Sequence, residues 1–422
     1  MRKNISRREA IRQTLRAAAI TAAGSVLPAM HVSSASVFSY NRQSYSRLRV
    51  AVIGAGAFGG WTALHLLREG YAVTLADQYG AGNNQSASGG ETRLIRPFYG
   101  DQQLYFDMAL RSLSHWKKLE AQTRKQIYYP QGLLLLQHEG AVIPGDMAAA
   151  AMYRHAGMQL EQLSPAVAAR RWPLIDTTGL AKVWYDPASG FLSAREGCKT
   201  VLEQFIKEGG YFVQAQASLP GHIDGRLQAL SLSNGQHLEA DVFVFAGGPW
   251  LLRLFPNLAP LKVTRQGYFY FAPPASLHTA FAQLPTWVNW PADGQLSYGI
   301  PAFDGRGFKI AITIQEDISD RFDTYARYLR PEELQQAQEV IQRRFPMMTG
   351  RPLIEKRICQ YTETPDKDFI LDRHPQADNI WIAGGGSGHG YKHGAALGEL
   401  AAANISGRLP VEPRFRINRW QP

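Results

Sequence analysis

The chain is poor in cysteine and in long apolar runs. Of its 422 residues only Cys198 and Cys359 are cysteines; they could form one disulfide, but not the framework that staples a small secreted domain. The apolar stretch at residues 17–26 is too short to cross a bilayer and is followed by Pro28. No internal repeat or low-complexity domain occurs. The sequence therefore predicts a globular protein of about two domains, without a stable membrane span.

A concentrated basic surface is also missing. Lys and Arg total 45 against 35 Asp and Glu, a net charge of +10, but half of this excess lies in the first 40 residues, which carry six basic side chains against Glu9. The other basic residues are scattered and form no stripe interleaved with aromatics. This pattern is typical of a solvated surface and predicts no nucleic-acid partner.

The N-terminal segment has the features of a targeting peptide. The pair Arg7-Arg8 precedes a weakly hydrophobic, alanine-rich stretch, and small residues follow near Ser33 and Ala35. We predict a twin-arginine signal peptide at residues 1–35, recognised by the twin-arginine export machinery, and a periplasmic or secreted protein. A basic amphipathic helix and an uncleaved anchor are the alternatives. Because this machinery exports folded proteins, it would suit a protein that binds a cofactor before it leaves the cytoplasm.

A β-α-β unit with a glycine-rich turn follows. Residues 50–53 form an apolar strand, and Gly54, Gly56 and Gly59 occupy the G-x-G-x-x-G positions that open a helix. Such glycines allow a tight turn, close approach of a pyrophosphate and packing of helix on strand. Asp77 ends the second strand, where a carboxylate accepts hydrogen bonds from ribose hydroxyls. The unit predicts a dinucleotide site, without choosing between FAD and NAD; the alternative is a structural turn.

Two later segments have the same small-residue character. The strand in residues 241–250 ends in glycines that include Gly247, and the strand at 379–383 is followed by a turn that contains Gly386 and Gly388. We expect both to bring backbone close to the cofactor. His389 and His393 in this second turn have the spacing of metal ligands, but glycines surround them and no acidic third ligand is near, so we predict no metal.

Four spaced motifs carry a resemblance to a known family. They are T-R-x-x-R with Thr92, Arg93 and Arg96, the strand GRGFKIAIT with Lys309, C-x-Y-T with Cys359 and Tyr361, and G-x-G-x-K with Lys392. From about Val50 to the C-terminus the chain resembles the monomeric sarcosine oxidase and N-methyltryptophan oxidase group of FAD-dependent amine oxidases.

The resemblance implies roles for these residues. Arg93 would lie against the flavin, while Arg96 and Lys392 would take the substrate carboxylate; arginine also offers a planar fork that matches a carboxylate. Lys309 would activate oxygen by stabilising superoxide charge, and Cys359 would bind FAD covalently. The alternatives are surface charges and a buried free thiol, the role we expect for Cys198. The resemblance also implies pocket positions for the following residues: Tyr298, Tyr361 and Thr313, of which Thr313 replaces a histidine of sarcosine oxidases.

The expected fold class is α/β plus α+β, a Rossmann-like FAD-binding domain with an antiparallel-sheet substrate domain. The FAD-binding domain would comprise residues 47–127, 189–258 and 364–422, and the substrate domain residues 128–188 and 259–363. Residues 260–346 are expected to alternate strands with Pro/Gly turns. The usual form of the family implies a monomer.

The function that the resemblance implies is oxidation of a secondary amino acid, N-methyl or cyclic, by hydride transfer to FAD. The imine hydrolyses, and oxygen is reduced to hydrogen peroxide. Three alternatives remain open: a periplasmic FAD-dependent dehydrogenase that passes electrons to a quinone or cytochrome, a non-catalytic flavin-binding protein, and an NAD dehydrogenase.

Overall fold

The computed structural model describes residues 47–223, 225–314, 316–325 and 328–420. The predicted signal peptide at 1–35 lies outside the described residues. In chain order the strands are β1 Arg49–Ile53, β2 Ala72–Asp77, β3 Thr92–Ile95, β4 Tyr128–Tyr129, β5 Leu133–His138, β6 Glu161–Leu163, β7 Leu180–Asp186, β8 Gly190–Ser193, β9 Tyr211–Gln214, β10 Ala217–Ser218, β11 Ala229–Leu232, β12 His237–Glu239, β13 Val242–Phe245, β14 Lys262–Phe271, β15 Thr286–Trp290, β16 Ser297–Ile300, β17 Phe308–Ile312, β18 Glu316–Asp317, β19 Leu353–Glu363, β20 Ile370–Arg373 and β21 Ile380–Gly384.

The α-helices are α1 Ala57–Arg68, α2 Gln103–Thr123, α3 Asp146–His155, α4 Pro165–Arg171, α5 Ala194–Lys207, α6 Leu251–Leu254, α7 His278–Ala282, α8 Pro331–Arg344 and α9 Gly394–Ile405. Short 3₁₀ turns lie at Gly248–Trp250, Ala275–Leu277, Pro346–Met348, Tyr391–His393, Pro413–Phe415 and Ile417–Trp420.

The nucleotide-type sheet has the strand order β20-β21-β13-β1-β2-β9. Its pairs are parallel except for the antiparallel edge pair β20–β21. Alternate residues of β1 point to opposite sides, so that Val50 and Val52 belong to the core that includes α1 and α9, while Ala51 and Ile53 belong to a second core on the other side. A parallel sheet buried on both sides is typical of dinucleotide-binding folds.

The second large sheet has the order β18-β14-β17-β16-β15-β5-β7-β6, with β19 paired to β14. Its pairs are antiparallel except for the parallel pair β5–β15. Two small sheets, β10-β11-β12 and β3-β8-β4, complete the structure. The mixed fold class predicted from the sequence is confirmed, while the discontinuous domain boundaries stay a prediction.

One element of the second half was predicted wrongly. Residues 260–346 do not only alternate strands and turns, because α8 occupies Pro331–Arg344 and the short α7 occupies His278–Ala282. The sequence carries the signals of α8: Pro331 stands at the first helical position, Glu332 and Glu333 lie in the first turn, and basic residues lie in the last turn. Ala337 and Ile341 bury its apolar face against the second sheet's core. Among the described residues, no helix is both long and apolar enough for a membrane span.

Candidate active site

The glycine turn after β1 has the geometry that the motif predicts. Gly54 has φ of +108°, and a Cβ atom there would lie 2.5 Å from the backbone oxygen of Ala246. A Cβ on Gly59 would lie 1.9 Å from the oxygen of Gly54, where α1 packs against the turn. A side chain at either position would displace backbone. The turn and the end of β13, where Gly247 lies, therefore form a cradle of closely spaced main chain.

Asp77 closes this cradle at the end of β2. Its Oδ2 accepts a hydrogen bond from Ala55 N at 2.7 Å and its Oδ1 one from Tyr79 N at 2.8 Å. Burial raises the pKa of this carboxyl group, while the backbone hydrogen bonds act in the opposite direction. Ser88, which the sequence analysis did not select, accepts a hydrogen bond from Ala57 N at 3.0 Å, at the first turn of α1. These contacts hold the carboxylate and the helix terminus against one cavity.

That cavity has a volume of about 1030 Å³ and reaches from the glycine turn to the second sheet. Most of the predicted site residues line it, namely Gly54, Gly56, Asp77, Arg93, Arg96, Gly247, Tyr298, Thr313, Tyr361, Gly386, Gly388 and Lys392. Gly59, Thr92, Lys309 and Cys359 are outside its lining. Residues from both large sheets thus meet at one space.

Lys309 is buried in β17, with 1 % of its surface exposed. Its Nζ donates hydrogen bonds to the Thr92 backbone oxygen at 3.1 Å and to Thr92 Oγ1 at 3.4 Å, and it lies 4.5 Å from the centroid of the Tyr268 ring. Burial, assisted by the positive charge of Arg93, lowers the pKa of Lys309 to about 7. The lysine is therefore held by neutral groups, without an ion pair among the described residues.

Cys359 lies on β19, two positions before Tyr361. Arg93 donates a hydrogen bond from Nη2 to its sulfur at 3.0 Å, and the thiol lies 3.5 Å from the backbone oxygen of Ala87. Arg93 also donates to the backbone oxygens of Ala87 and Gly89, in the loop that precedes β3, and of Thr92, so its guanidinium is fixed. Cys198, in contrast, is buried in α5, and burial raises the pKa of its thiol to about 11. The prediction of a buried free thiol at Cys198 is confirmed.

Arg96 and Lys392 meet at Tyr99, which the sequence analysis did not select. The guanidinium carbon of Arg96 lies 4.7 Å from the centroid of the Tyr99 ring, and Lys392 Nζ donates a hydrogen bond to the Tyr99 hydroxyl at 2.9 Å. Burial and the charge of Arg96 lower the pKa of Lys392. Neither cation has a carboxylate partner among the described residues, so both are available to an anionic ligand.

The two pocket tyrosines come from different strands. The hydroxyls of Tyr298 and Tyr361 lie 3.4 Å apart, and burial raises the pKa of each. A Cβ on Gly388 would lie 3.0 Å from the ring of Tyr361, so the glycine-rich turn contacts this ring directly. Thr313 lies on the same side of the cavity, and its backbone N–H donates to Leu296 O at 2.9 Å.

One group of the residues that line the cavity is apolar. Laterally paired residues of neighbouring strands share a sheet face, and Leu135 pairs with Val288, which pairs with Tyr298. The cavity-lining members of this apolar cluster are Leu94, Phe98, Leu135, Ile143, Val288, Trp290 and Tyr298. Leu94 and Phe98 flank Arg96 in sequence, which places apolar surface next to the guanidinium.

His389 and His393 both contact the Tyr99 hydroxyl, at 3.1 and 2.8 Å. Burial lowers the pKa of both rings, to about 3 for His389. Within the part of the chain that the structure describes, no group of three potential ligands could hold a metal ion.

Comparison with known proteins places these features in context. The model of the family described as FAD dependent oxidoreductase matches residues 49–404. Monomeric sarcosine oxidase from Bacillus sp. (strain NS-129) is 28 % identical over 88 % of this chain and 96 % of its own. N-methyl-L-tryptophan oxidase from Citrobacter koseri is 27 % identical over 87 % and 98 %. L-proline dehydrogenase from P. horikoshii has a similar fold, with a TM-score of 0.76 over 89 % and 98 % of the two chains at 19 % identity.

Proposed function

Since the chain belongs to the FAD-dependent oxidoreductase family, we propose that it oxidises a secondary amino acid, N-methyl or cyclic, and reduces oxygen to hydrogen peroxide. The prediction of an FAD-dependent oxidoreductase is confirmed by the family match and by the similarity to sarcosine oxidases. The observation that carries the choice of substrate is the pair Arg96 and Lys392, two cations in one cavity without a carboxylate partner among the described residues.

The residues present fit FAD. Gly54 and Gly59 leave no room for a Cβ, as a pyrophosphate cradle requires, and Asp77 has further lone pairs for ribose hydroxyls. The cavity is large enough for a dinucleotide together with a substrate. The proposed holding residues are Gly54, Gly56, Gly59, Asp77, Thr92, Arg93, Gly247, Gly386, Gly388 and Lys392. When bound, FAD would accept one hydride, which carries two electrons, and would pass two electrons and two protons to oxygen.

The proposed role of Arg96 and Lys392 is to bind and orient the substrate. A carboxylate between them forms charge-assisted hydrogen bonds, and arginine can make two in parallel. This fixes the C–H bond that breaks, next to the amine nitrogen, and such positioning supplies much of an enzyme's rate. The apolar cluster that lines the cavity, here called the apolar wall, keeps water from the reacting carbon. The imine product is then hydrolysed in water to a carbonyl compound and an amine.

The apolar wall also supports a substrate larger than N-methylglycine. Val288 and Trp290 are two positions apart on β15 and both line the cavity. Leu94 and Phe98 flank Arg96, which would hold the carboxylate, in the sequence. Thr313 has a smaller side chain than the histidine that the resemblance places at this position in sarcosine oxidases, so it leaves more room in the cavity for a substrate. We therefore expect an amino acid with an apolar or cyclic side chain to be preferred. Each Å² of its apolar surface that is buried against this wall contributes about 25 cal/mol to the free energy of binding.

Lys309 and Cys359 complete the proposal. The Lys309 ammonium would stabilise negative charge on oxygen in a site that excludes water. Cys359 would form a thioether with FAD: the thiol and a ring methyl group each lose one hydrogen, a carbon–sulfur bond forms, and one oxygen molecule takes up both hydrogens as hydrogen peroxide. Arg93, 3.0 Å from the sulfur, would stabilise the thiolate that attacks.

A substrate panel tests the proposed activity. Purified, flavin-loaded enzyme is mixed with N-methyl and cyclic amino acids of increasing side-chain size, with primary amino acids, and with N-methyl amines that lack a carboxylate. Peroxide is measured in air and flavin bleaching without air. We expect both signals with the secondary amino acids only. If no N-alkyl or cyclic amino acid bleaches the flavin, the proposal is wrong.

Export by the twin-arginine machinery is a separate part of the proposal, and the Arg7-Arg8 pair supports it. Replacing both arginines by lysine preserves charge but removes the motif. The double variant should then stay inside the cell, with its flavin bound, instead of being exported. Unchanged export of the double variant would contradict this part without affecting the proposed chemistry.

A further inference from the structure

The hydroxyl of Tyr99 is surrounded by three nitrogen atoms. Lys392 Nζ lies 2.9 Å from it, His393 Nε2 2.8 Å and His389 Nδ1 3.1 Å. A phenol hydroxyl has one hydrogen to donate and accepts through its oxygen, so the three contacts require a defined arrangement of hydrogens.

The surroundings fix that arrangement. His389 Nε2 lies 3.0 Å from the backbone oxygen of Lys367, which only accepts, so Nε2 carries the ring hydrogen. Burial keeps the His389 ring neutral by lowering its pKa to about 3, so Nδ1 has a free lone pair. Tyr99 therefore donates its hydrogen to His389 Nδ1. Its oxygen then accepts from Lys392 Nζ and from the Nε2–H of His393.

From this geometry we infer that Tyr99 is a positioning residue for Lys392. It holds Lys392 Nζ between its own hydroxyl oxygen and the backbone oxygen of His389. One N–H of the ammonium then stays available to a substrate carboxylate. The inference rests on the proposed function, in which Lys392 binds that carboxylate. The second acceptor, His389 O, lies 3.1 Å from Nζ. Two acceptors on a group with three hydrogens fix its direction and leave one hydrogen unused.

A neutral acceptor suits this purpose better than a carboxylate. An acidic partner would compete with the ligand for the charge of Lys392, whereas burial raises the pKa of Tyr99 and keeps its hydroxyl neutral. The nearby Asp368 is occupied elsewhere, since it accepts from Tyr105 at 2.8 Å and from Arg414 at 2.7 and 2.9 Å. The polar groups around Lys392 therefore orient its ammonium without neutralising it.

The ring of Tyr99 also contacts the other cation. Arg96 Cζ is 4.7 Å from its centroid, a distance at which the negative ring face attracts a cation. Replacement by phenylalanine keeps this ring and its stacking on Tyr105, and removes only the hydroxyl. The variant Tyr99→Phe therefore removes the hydrogen bond to Lys392, together with those to His389 and His393, and keeps the ring in place.

The experiment measures carboxylate binding and turnover in flavin-loaded variants. Propionate is titrated against each protein, and binding is followed by the flavin absorbance. For Tyr99→Phe we expect propionate to bind roughly 10-fold more weakly, as for loss of a hydrogen bond to a charged group. The KM for the best amino-acid substrate should rise by a similar factor, while kcat falls less than about 3-fold. Binding of propionamide, the uncharged counterpart of propionate, should not change.

Tyr105→Phe is the matched control, because it removes a neighbouring hydroxyl that binds Asp368 and has no contact with Lys392. It should leave the affinity for propionate unchanged within a factor of about two. Where Tyr99→Phe does not load flavin, His389→Phe replaces it: this variant removes the acceptor of the Tyr99 hydrogen and the hydrogen bond to Lys367 O, and it retains the backbone oxygen that Lys392 uses. It should weaken propionate binding with the same selectivity for carboxylates.

Lys392→Met separates failure of the inference from failure of the proposed function. If Lys392→Met weakens propionate binding and Tyr99→Phe does not, Tyr99 has no positioning role and the carboxylate site stands. Equal losses in Tyr99→Phe and Tyr105→Phe would show a general structural effect and also overturn the inference. If Lys392→Met binds propionate as tightly as the unmodified protein, the carboxylate site itself is wrong, and the inference fails with it.

Discussion

Arg93 donates a hydrogen bond to the sulfur of Cys359 at 3.0 Å, although the two residues are 266 positions apart in the chain. A guanidinium at this distance stabilises negative charge on sulfur, which a cysteine needs before it can attack a carbon atom. No comparable cation contacts the sulfur of Cys198 among the described residues. The two cysteines of the chain therefore differ in that a guanidinium contacts the sulfur of Cys359 only, among the residues that the structure describes.

Cys359→Ala should release FAD from the denatured protein. In the unmodified protein we expect the yellow colour to stay with the polypeptide after acid precipitation, because a thioether survives unfolding. In Cys359→Ala the colour should pass into the supernatant. Cys198→Ala is the control and should behave like the unmodified protein. Colour in the supernatant of the unmodified protein would exclude the covalent link while leaving the FAD site intact.

Lys309→Met should separate oxygen reduction from amine oxidation. Removing one preorganised electrostatic group typically costs about 100- to 1000-fold in rate, and we expect this loss in the reoxidation of reduced enzyme by oxygen. Anaerobic bleaching by substrate should change less than about 3-fold, since Lys309 does not line the substrate cavity. Both rates are measured by stopped-flow absorbance. Reoxidation that is slow in the unmodified protein and unaffected by the substitution would favour the dehydrogenase alternative.

The sequence predicted those parts of the structure that depend on local patterns. The β-α-β unit at residues 49–77 was predicted because Gly54 and Gly59 each have a steric role that a motif can reveal. The helix at Pro331–Arg344 was missed because residues 260–346 were all predicted to alternate strands with Pro/Gly turns. Its own signals, proline first and acidic residues in the first turn, were present in the sequence.

The contacts inside the site could not be predicted in the same way. Tyr99 and Lys392 are separated by 293 positions, and nothing in either segment indicates that the tyrosine hydroxyl meets the lysine. The hydrogen bonds of Lys309 to Thr92 join positions 217 apart. Family resemblance selected Arg96, Lys392 and Lys309, but the groups that they contact follow only from the three-dimensional packing of distant segments.

Gly59→Ala should prevent normal FAD binding. The added Cβ would lie 1.9 Å from the backbone oxygen of Gly54, which cannot move without disturbing the turn. Such overpacking costs about 1–3 kcal/mol or more, and we expect a lower thermal midpoint together with reduced flavin content. Gly60→Ala is the control in the same helix, because its Cβ would lie 3.3 Å from a methyl group of Val201, which can shift. Equal flavin content in the two variants would contradict a cradle at Gly59.

The affinity for a carboxylate ligand should fall as pH rises, at a pH below that expected for an ordinary lysine. Burial and the charge of Arg96 lower the pKa of Lys392, so its ammonium loses its proton earlier than an exposed lysine would. The other groups facing it do not supply a compensating charge. Burial keeps His389 and His393 neutral by lowering their pKa values, and it keeps Tyr99 neutral by raising its pKa.

The sign follows from the charges. Below the pKa of Lys392 both cations attract the ligand, and above it only Arg96 does. The dissociation constant of propionate should therefore rise about tenfold per pH unit above that pKa, until the contribution of Lys392 is lost. Flavin absorbance titrations over the pH range in which the protein stays folded measure this. Lys392→Met should bind more weakly below that pKa and show no such rise; a rise of the same size in this variant would assign the titration to another group.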